Sequence, residues 1–355
     1  MYKKLFIPGP THVREEILGA QTAPMIGHRS KDYSALQAAV SPKLKQLLYT
    51  EQPVFMYASS GTGLMEGSLR QGVQKRALVT VCGAFSERWY EIAVANGVPT
   101  DRLDVDLGKG FTPEMVDEAL SKADYDVLTL TFNETATGVM NPVKEIAALV
   151  RQKYPDVLIL VDAVSAMAGA KIEFDAWGID VAFASSQKCF ALPPGLAIAA
   201  VSERAFKRAE QIPNRGYYFD YLTMLKSYKK DQTPATPAIS LIYALNRQLD
   251  DILAEGLENR WARHIEMANL VREWGRKHWA LFADERFLSN TVTTVTNTRE
   301  VSIADLNAEL GKRGAQISNG YGTLKEKTFR IAHMGDLTVA DIKWLLGEID
   351  DILGL

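Results

Sequence analysis

Between Pro53 and Val201 short apolar runs alternate with amphipathic stretches, and this alternation restricts the fold more than any other feature of the chain. The runs are Pro53–Ala58, Ala77–Cys82, Asp126–Phe132, Val157–Val161, Val181–Ala184 and Leu196–Val201. Amphipathic stretches such as Pro113–Ala123 and Val143–Lys153 lie between most of them. A strand that is apolar on nearly every residue has no face to turn toward water. The pattern therefore predicts a large, mainly parallel sheet flanked by helices, an α/β fold. Ligands in such folds sit at the carboxyl ends of the strands, so candidate chemistry is sought there.

Around Pro237 the character changes. Ile239–Glu255 and Asn259–Lys277 read as long helices, Thr291–Thr296 and Thr328–Ala332 as strands, and Ile303–Lys312 and Val339–Leu353 as helices, the last capped by Thr338. At about 150 residues per domain, 355 residues suggest two domains. The expected division is an N-terminal arm (1–15), a large α/β domain (16–255) and a smaller C-terminal α+β domain (256–355).

The balance of 40 Lys+Arg against 43 Asp+Glu leaves a net charge of −3 and argues against a nucleic-acid partner. No apolar run approaches the ~20 residues that span a bilayer, which argues against a membrane partner. The apolar run Leu5–Ile7 meets Pro8 too soon for a signal-peptide core. Two cysteines, Cys82 and Cys189, cannot make a disulfide framework. The expected location is the cytoplasm.

Three signals at strand ends carry chemistry. Tyr57–Glu66 runs from a strand through Ser59-Ser60-Gly61-Thr62-Gly63 into a helix, where small residues and unpaired N–H groups can cradle an anion. Asp162 ends the apolar run Leu158–Val161. Lys188 follows the next run, 26 residues on, between the apolar flanks Phe183-Ala184 and Cys189–Leu192. Burial of that ammonium lowers its pKa and gives a nucleophilic amine. A crossover of this length brings the two strand ends to one sheet edge. A lysine, an acid and a phosphate cup are the set that pyridoxal 5′-phosphate requires. Phe85, just after Cys82-Gly83, stands where an aromatic could stack on the ring.

These residues resemble those of class V (fold type I) pyridoxal-phosphate aminotransferases, in particular the alanine–glyoxylate and serine–pyruvate group. The resemblance runs through Pro8-Gly9-Pro10, Gly27-His28-Arg29-Ser30, Ser60-Gly61-Thr62 and Asn133–Gly138. It continues in Val161-Asp162, Ser186-Gln187-Lys188, Pro193-Pro194-Gly195, Gly256–Asn259 and Phe329-Arg330-Ile331. It implies that Lys188 forms the Schiff base and moves the substrate proton, while Asp162 holds the ring nitrogen protonated. Val164 and Phe85 would cover the two ring faces; most relatives carry Trp at the Phe85 position. Thr135 would bond the ring's 3-oxygen, and Ser60, Gly61, Thr62 and Gln187 the phosphate. Thr233, or Thr236 in the same Pro-rich stretch, would reach the phosphate of a neighbouring subunit, making a homodimer with shared sites. Arg330 would hold the substrate α-carboxylate, with Gly9 nearby on the arm.

The resemblance implies ping-pong transfer of an amino group from serine or alanine to glyoxylate or pyruvate. His28-Arg29 leaves an alternative open. A similar His-Arg-Ser segment in phosphoserine aminotransferases helps bind the substrate phosphate, and a guanidinium suits a distal anion. Phosphoserine, or another acidic amino acid, with 2-oxoglutarate is thus the rival substrate pair. Arg29 could equally cap a helix. A cysteine-desulfurase type of lyase would need a mobile sulfur acceptor, and neither Cys82 at a strand end nor Cys189 beside Lys188 suits that role.

Overall fold

Alternate residues of the apolar runs point to opposite sides of a sheet, and both sides are buried. Val54, Met56, Ile159, Val161, Ala182 and Ala184 belong to one core, with the helices Lys31–Leu48, Val143–Lys153 and Ile239–Glu255 over it. Phe55, Tyr57, Leu158, Leu160, Val181 and Phe183 belong to a second core, under the helices Gly61–Gly72, Ala84–Ala95 and Glu203–Glu210. The computed structural model describes residues 3–355.

In chain order the strands are β1 (Lys4–Phe6), β2 (Val54–Tyr57), β3 (Ala77–Val81), β4 (Thr100–Asp104), β5 (Val127–Thr131), β6 (Asn133–Glu134) and β7 (Val139–Met140). They continue as β8 (Leu158–Asp162), β9 (Val181–Ser185), β10 (Ala197–Val201), β11 (Ala280–Leu281), β12 (Val292–Thr296), β13 (Ala315–Asn319) and β14 (Thr328–Ala332). The large sheet has the order β2-β10-β9-β8-β5-β3-β4 and is parallel apart from β10. The six apolar runs form six of its strands. The seventh, β4, is the polar edge strand Thr-Asp-Arg-Leu-Asp. Its residues are half-buried or exposed, so it needs no apolar sequence, and periodicity gave no sign of it.

A second sheet, β1-β13-β14-β12-β11, lies under the helices Leu257–His278, Ile303–Lys312 and Val339–Leu353, and Phe6, Trp274, Phe329 and Leu345 share its core. The chain turns between the helices Ile239–Glu255 and Leu257–His278 at Gly256. Thr338 caps the last helix, its hydroxyl accepting from Asp341 N while Asp341 accepts from Thr338 N. The N-terminal strand β1 joins this sheet beside β13, and so carries Pro8 and Gly9 back toward the large sheet. Among the described residues no helix is long and apolar enough to cross a membrane.

Candidate active site

Strands β2, β3, β5, β8 and β9 all point their carboxyl ends to one edge of the large sheet, where a cavity of about 140 Å³ opens. Asp162 is the last residue of β8 and is paired in register with Thr131 on β5 and Phe183 on β9. Lys188 lies three residues beyond β9. The intervening turn is fixed by Ser186, whose N–H donates to Leu196 O (2.9 Å) and whose hydroxyl donates to Pro193 O (2.7 Å). Two neighbouring strands of one ladder therefore bring the carboxyl and the amine into one cavity.

Burial sets the protonation of both. Asp162 is 4% exposed, and burial pushes its carboxyl up to about 7, although Val164 N–H donates to Oδ1 (2.8 Å) and opposes the shift. The Glu134 carboxylate adds to the rise. Burial lowers the Lys188 ammonium to about 8; the Arg330 and Arg88 guanidinia lower it further, against Cys189 and Asp162. Its Nζ donates to Pro8 O. Gly9, with φ +119°, passes so close that a Cβ there would fall 2.6 Å from Lys188 Nζ.

Ser60, Gly61 and Thr62 line the cavity at the N-terminus of the helix Gly61–Gly72. The Ser60 hydroxyl makes no capping bond, and Gly61 N–H donates to Ser185 Oγ (2.7 Å). A Cβ on Gly61 would lie 2.3 Å from Val164 Cγ2, so only glycine keeps this cradle open. Val164 and Phe85 also line the cavity, as do Thr135 and Gln187. Phe85 is held by its N–H, which donates to the buried Glu134 carboxylate (3.1 Å). Thr135 Oγ1 shares a hydrogen with Ser165 Oγ (2.8 Å).

Arg330 stands on β14 of the second sheet and is 7% exposed. Its guanidinium donates to backbone carbonyls, those of Asn319 (3.1 and 3.2 Å) and Thr135 (3.3 Å). Burial lowers its pKa to about 10. A guanidinium buried against neutral carbonyls gains strongly from an incoming carboxylate.

Six candidates do not line the cavity: Gly9 and Arg330, which border it at Lys188 and at the Thr135 carbonyl, and His28, Arg29, Thr233 and Thr236, which lie elsewhere. Neither His28 nor Arg29 lines the cavity. They approach the helix Lys31–Leu48, which Ser30 caps, and Arg29 donates to the carbonyls of Thr233 and Pro234 (2.8 Å to the latter). The Thr233 hydroxyl donates to Ala235 O (2.7 Å), and Thr233 and Thr236 line a separate surface hollow near Tyr57 and Ala58.

Residues not anticipated from sequence also reach the cavity. Arg88 lines it, donates to Thr62 Oγ1 (3.2 Å) and lies 5.2 Å over the Phe85 ring. Asn133, Ser165 and Ser185 line it too. Asn133-Glu134 forms β6; Asn133 opens the Asn133–Gly138 motif, but the sequence gave it no role. Arg88 falls four residues after Ala84 on its helix, on the turn that faces Thr62, and nothing in its spacing singled it out.

The pieces fit pyridoxal phosphate. The helix N-terminus, two hydroxyls and Arg88 suit a phosphate dianion, and the buried Asp162 suits a pyridinium. The buried Gln187 Oε1 and Asn133 Oδ1 have no hydrogen-bond partner among the described residues. The sequence model of the family described as aminotransferase class-V matches residues 43–342. The chain belongs to the class V aminotransferases.

This aminotransferase has the fold type I architecture, and its cofactor is pyridoxal 5′-phosphate. It is 40% identical to an uncharacterised aminotransferase of Methanocaldococcus jannaschii over 94% of this chain and 88% of that one. It is 34% identical to an L-aspartate–glyoxylate aminotransferase of Paracoccus denitrificans (95% and 87% covered) and 31% identical to a serine–glyoxylate aminotransferase of Methylorubrum extorquens (97% and 89%). The crystal structure of an alanine–glyoxylate aminotransferase from Nostoc sp. superposes with a TM-score of 0.92 at 27% identity, covering 99% of this chain and 96% of that one.

Proposed function

We propose that this aminotransferase moves the amino group of a small L-amino acid, serine or alanine, to glyoxylate or pyruvate. The choice of substrate is carried by the likeness to a serine–glyoxylate aminotransferase, 31% identical over 97% of this chain. Arg29 is bound to the carbonyls of Thr233 and Pro234 and, like His28, does not line this subunit's cavity. Relatives that differ in amino donor share glyoxylate as the named acceptor, which supports the acceptor assignment.

In this reading Lys188 is the amine that carries the cofactor and afterwards moves the substrate proton. Its pKa near 8 leaves an appreciable fraction neutral at physiological pH. Pyridoxal phosphate, when bound, supplies the electron sink that stabilises the charge left at Cα. Asp162 would hold a proton on the ring nitrogen, and that cation would offset the burial that raises its carboxyl. Val164 and Phe85 cover the ring faces, Thr135 bonds the ring's 3-oxygen, and Ser60, Gly61, Thr62 and Gln187, with Arg88, hold the phosphate. Arg330 takes the α-carboxylate common to donor and acceptor. Thr233 reaches a neighbouring subunit's phosphate in a homodimer, and Met25, Tyr217 and Tyr218, all exposed, offer apolar surface for such a contact. The chain divides into an arm (1–15), a large domain (16–255) and a small domain (256–355), a division supported by the change of sheet after Gly256. The location is cytoplasmic, with no membrane or nucleic-acid partner. Both cysteines are buried and their thiols pushed up to about 12, which disfavours a sulfur-acceptor chemistry.

Steady-state turnover decides between substrates. L-Serine or L-alanine with glyoxylate should exceed L-phosphoserine with 2-oxoglutarate in kcat/KM by about a hundredfold or more, the value of two to three kcal/mol of differential binding. A preference for phosphoserine that disappears in Arg29→Ala would overturn the reading.

A further inference from the structure

The segment that joins β13 to β14 is a tight loop, Gly320–Lys327, with one 3-10 turn at Gly322–Leu324. Asn319 closes it, its side-chain Oδ1 accepting from the N–H groups of Gly320 and Glu326 (both 2.8 Å), while its carbonyl accepts from Arg330. Gly320 has no room for a Cβ, which would sit 2.0 Å from Leu324 O. The loop thus fixes where its one aromatic, Tyr321, can go. The Tyr321 ring packs against Phe85 with centroids 5.1 Å apart, and the Arg330 guanidinium lies 5.6 Å from the same ring. Tyr321 remains 39% exposed, so the burial of a core residue does not explain its place.

We propose that Tyr321 is a positioning residue of the substrate site, a ring set between Phe85 and Arg330 that holds the guanidinium ready for the α-carboxylate shared by every donor and acceptor. The inference rests on the reading of Arg330 as the carboxylate clamp. All of Arg330's hydrogen bonds go to backbone carbonyls, which leave the guanidinium plane free to tilt. A π face beneath a guanidinium favours one orientation and does not compete for its N–H donors. Because the same ring touches Phe85, it adds a second tie between the small sheet and the cavity wall, beside the bond from Arg330 to the Thr135 carbonyl.

The test uses the holoenzyme with Tyr321→Phe, Tyr321→Leu and Arg330→Lys, and measures KM and kcat for donor and acceptor together with the absorption spectrum of the bound cofactor. Tyr321→Phe keeps the π face and should stay within about twofold of wild type. Tyr321→Leu keeps bulk without the π face. It should raise KM for donor and acceptor alike by about five- to tenfold, with kcat and cofactor affinity little changed. Wild-type KM values in Tyr321→Leu, or loss of cofactor in its place, would overturn the proposal, as would failure of Phe to substitute. If Arg330→Lys leaves KM unchanged, the clamp assignment itself fails. If Arg330→Lys raises KM and Tyr321→Leu does not, only the role of Tyr321 fails.

Discussion

Asp162 and Lys188 reach the cavity from adjoining strands of one hydrogen-bonded ladder, whereas Arg330 and Tyr321 come from a second sheet and its β13–β14 loop. The latter pair abut the cavity wall, Arg330 at the Thr135 carbonyl and Tyr321 at Phe85. At the cofactor end the backbone register fixes the spacing, and cores on both faces of the sheet hold it. At the proposed substrate end position depends on contacts between sheets: Arg330 on the Thr135 carbonyl and Tyr321 on Phe85. A fault in the ladder end should therefore remove chemistry, and a fault in the bridging end should weaken affinity and leave the chemical step intact.

The sharpest way to break this contrast is Lys188→Ala. Turnover should fall by roughly a thousandfold or more, the loss expected when an acid–base and attachment group disappears. The absorption band of the bound cofactor should shift with it. Substantial residual turnover would move the chemistry to another residue.

Asp162→Asn should come next, lowering kcat by about a hundredfold while stabilising the cofactor-free protein. The sign follows from burial. The native carboxyl sits near 7 and the unfolded one near 3.8, so the folded chain binds more protons between these values and loses stability as pH rises through that window. Below the unfolded value the group is neutral in both states and costs nothing. At pH 8 the apo variant should therefore melt a few degrees above wild type, and near pH 4 the two should coincide. A destabilised apo variant at pH 8 would show that the carboxylate is better solvated than its burial implies.

A smaller effect is expected from Gly9→Ala, since the added Cβ must move the Lys188 amine or the arm. Cofactor uptake by the apo protein, followed by its absorbance, should slow by about tenfold, and thermal stability should fall as well, because at φ +119° any L side chain strains the backbone. The smallest change should come from Arg29→Ala, within about threefold in kcat/KM for serine or alanine. Its guanidinium serves the Thr233–Pro234 backbone.

The same contrast explains what could be read from sequence. The six buried strands of the large sheet and the two residues at their ends were legible, because buried strands need continuous apolar runs and a Lys or Asp at such an end is conspicuous. The helix Lys31–Leu48 was not read, and Pro42 inside it argues locally against helix; packing of Leu36, Val40 and Leu44 on the sheet overrides that. Strand β13 was missed because its second and fourth residues, Gln316 and Ser318, are polar and only half-buried. Tyr321 and Arg88 could not be found from spacing. Tyr321 meets Phe85 through a docking of elements 236 residues apart, and Arg88 meets Thr62 across two helix surfaces whose facing turns no motif marks.

Reduction of the holoenzyme with borohydride, followed by peptide mass mapping, tests the core of this reading most directly. The pyridoxyl group should be found on the peptide containing Lys188, in near-stoichiometric amount, and should be absent from Lys188→Ala. A label on a different lysine, or a bound cofactor that reduction leaves unattached, would contradict the assignment of the site.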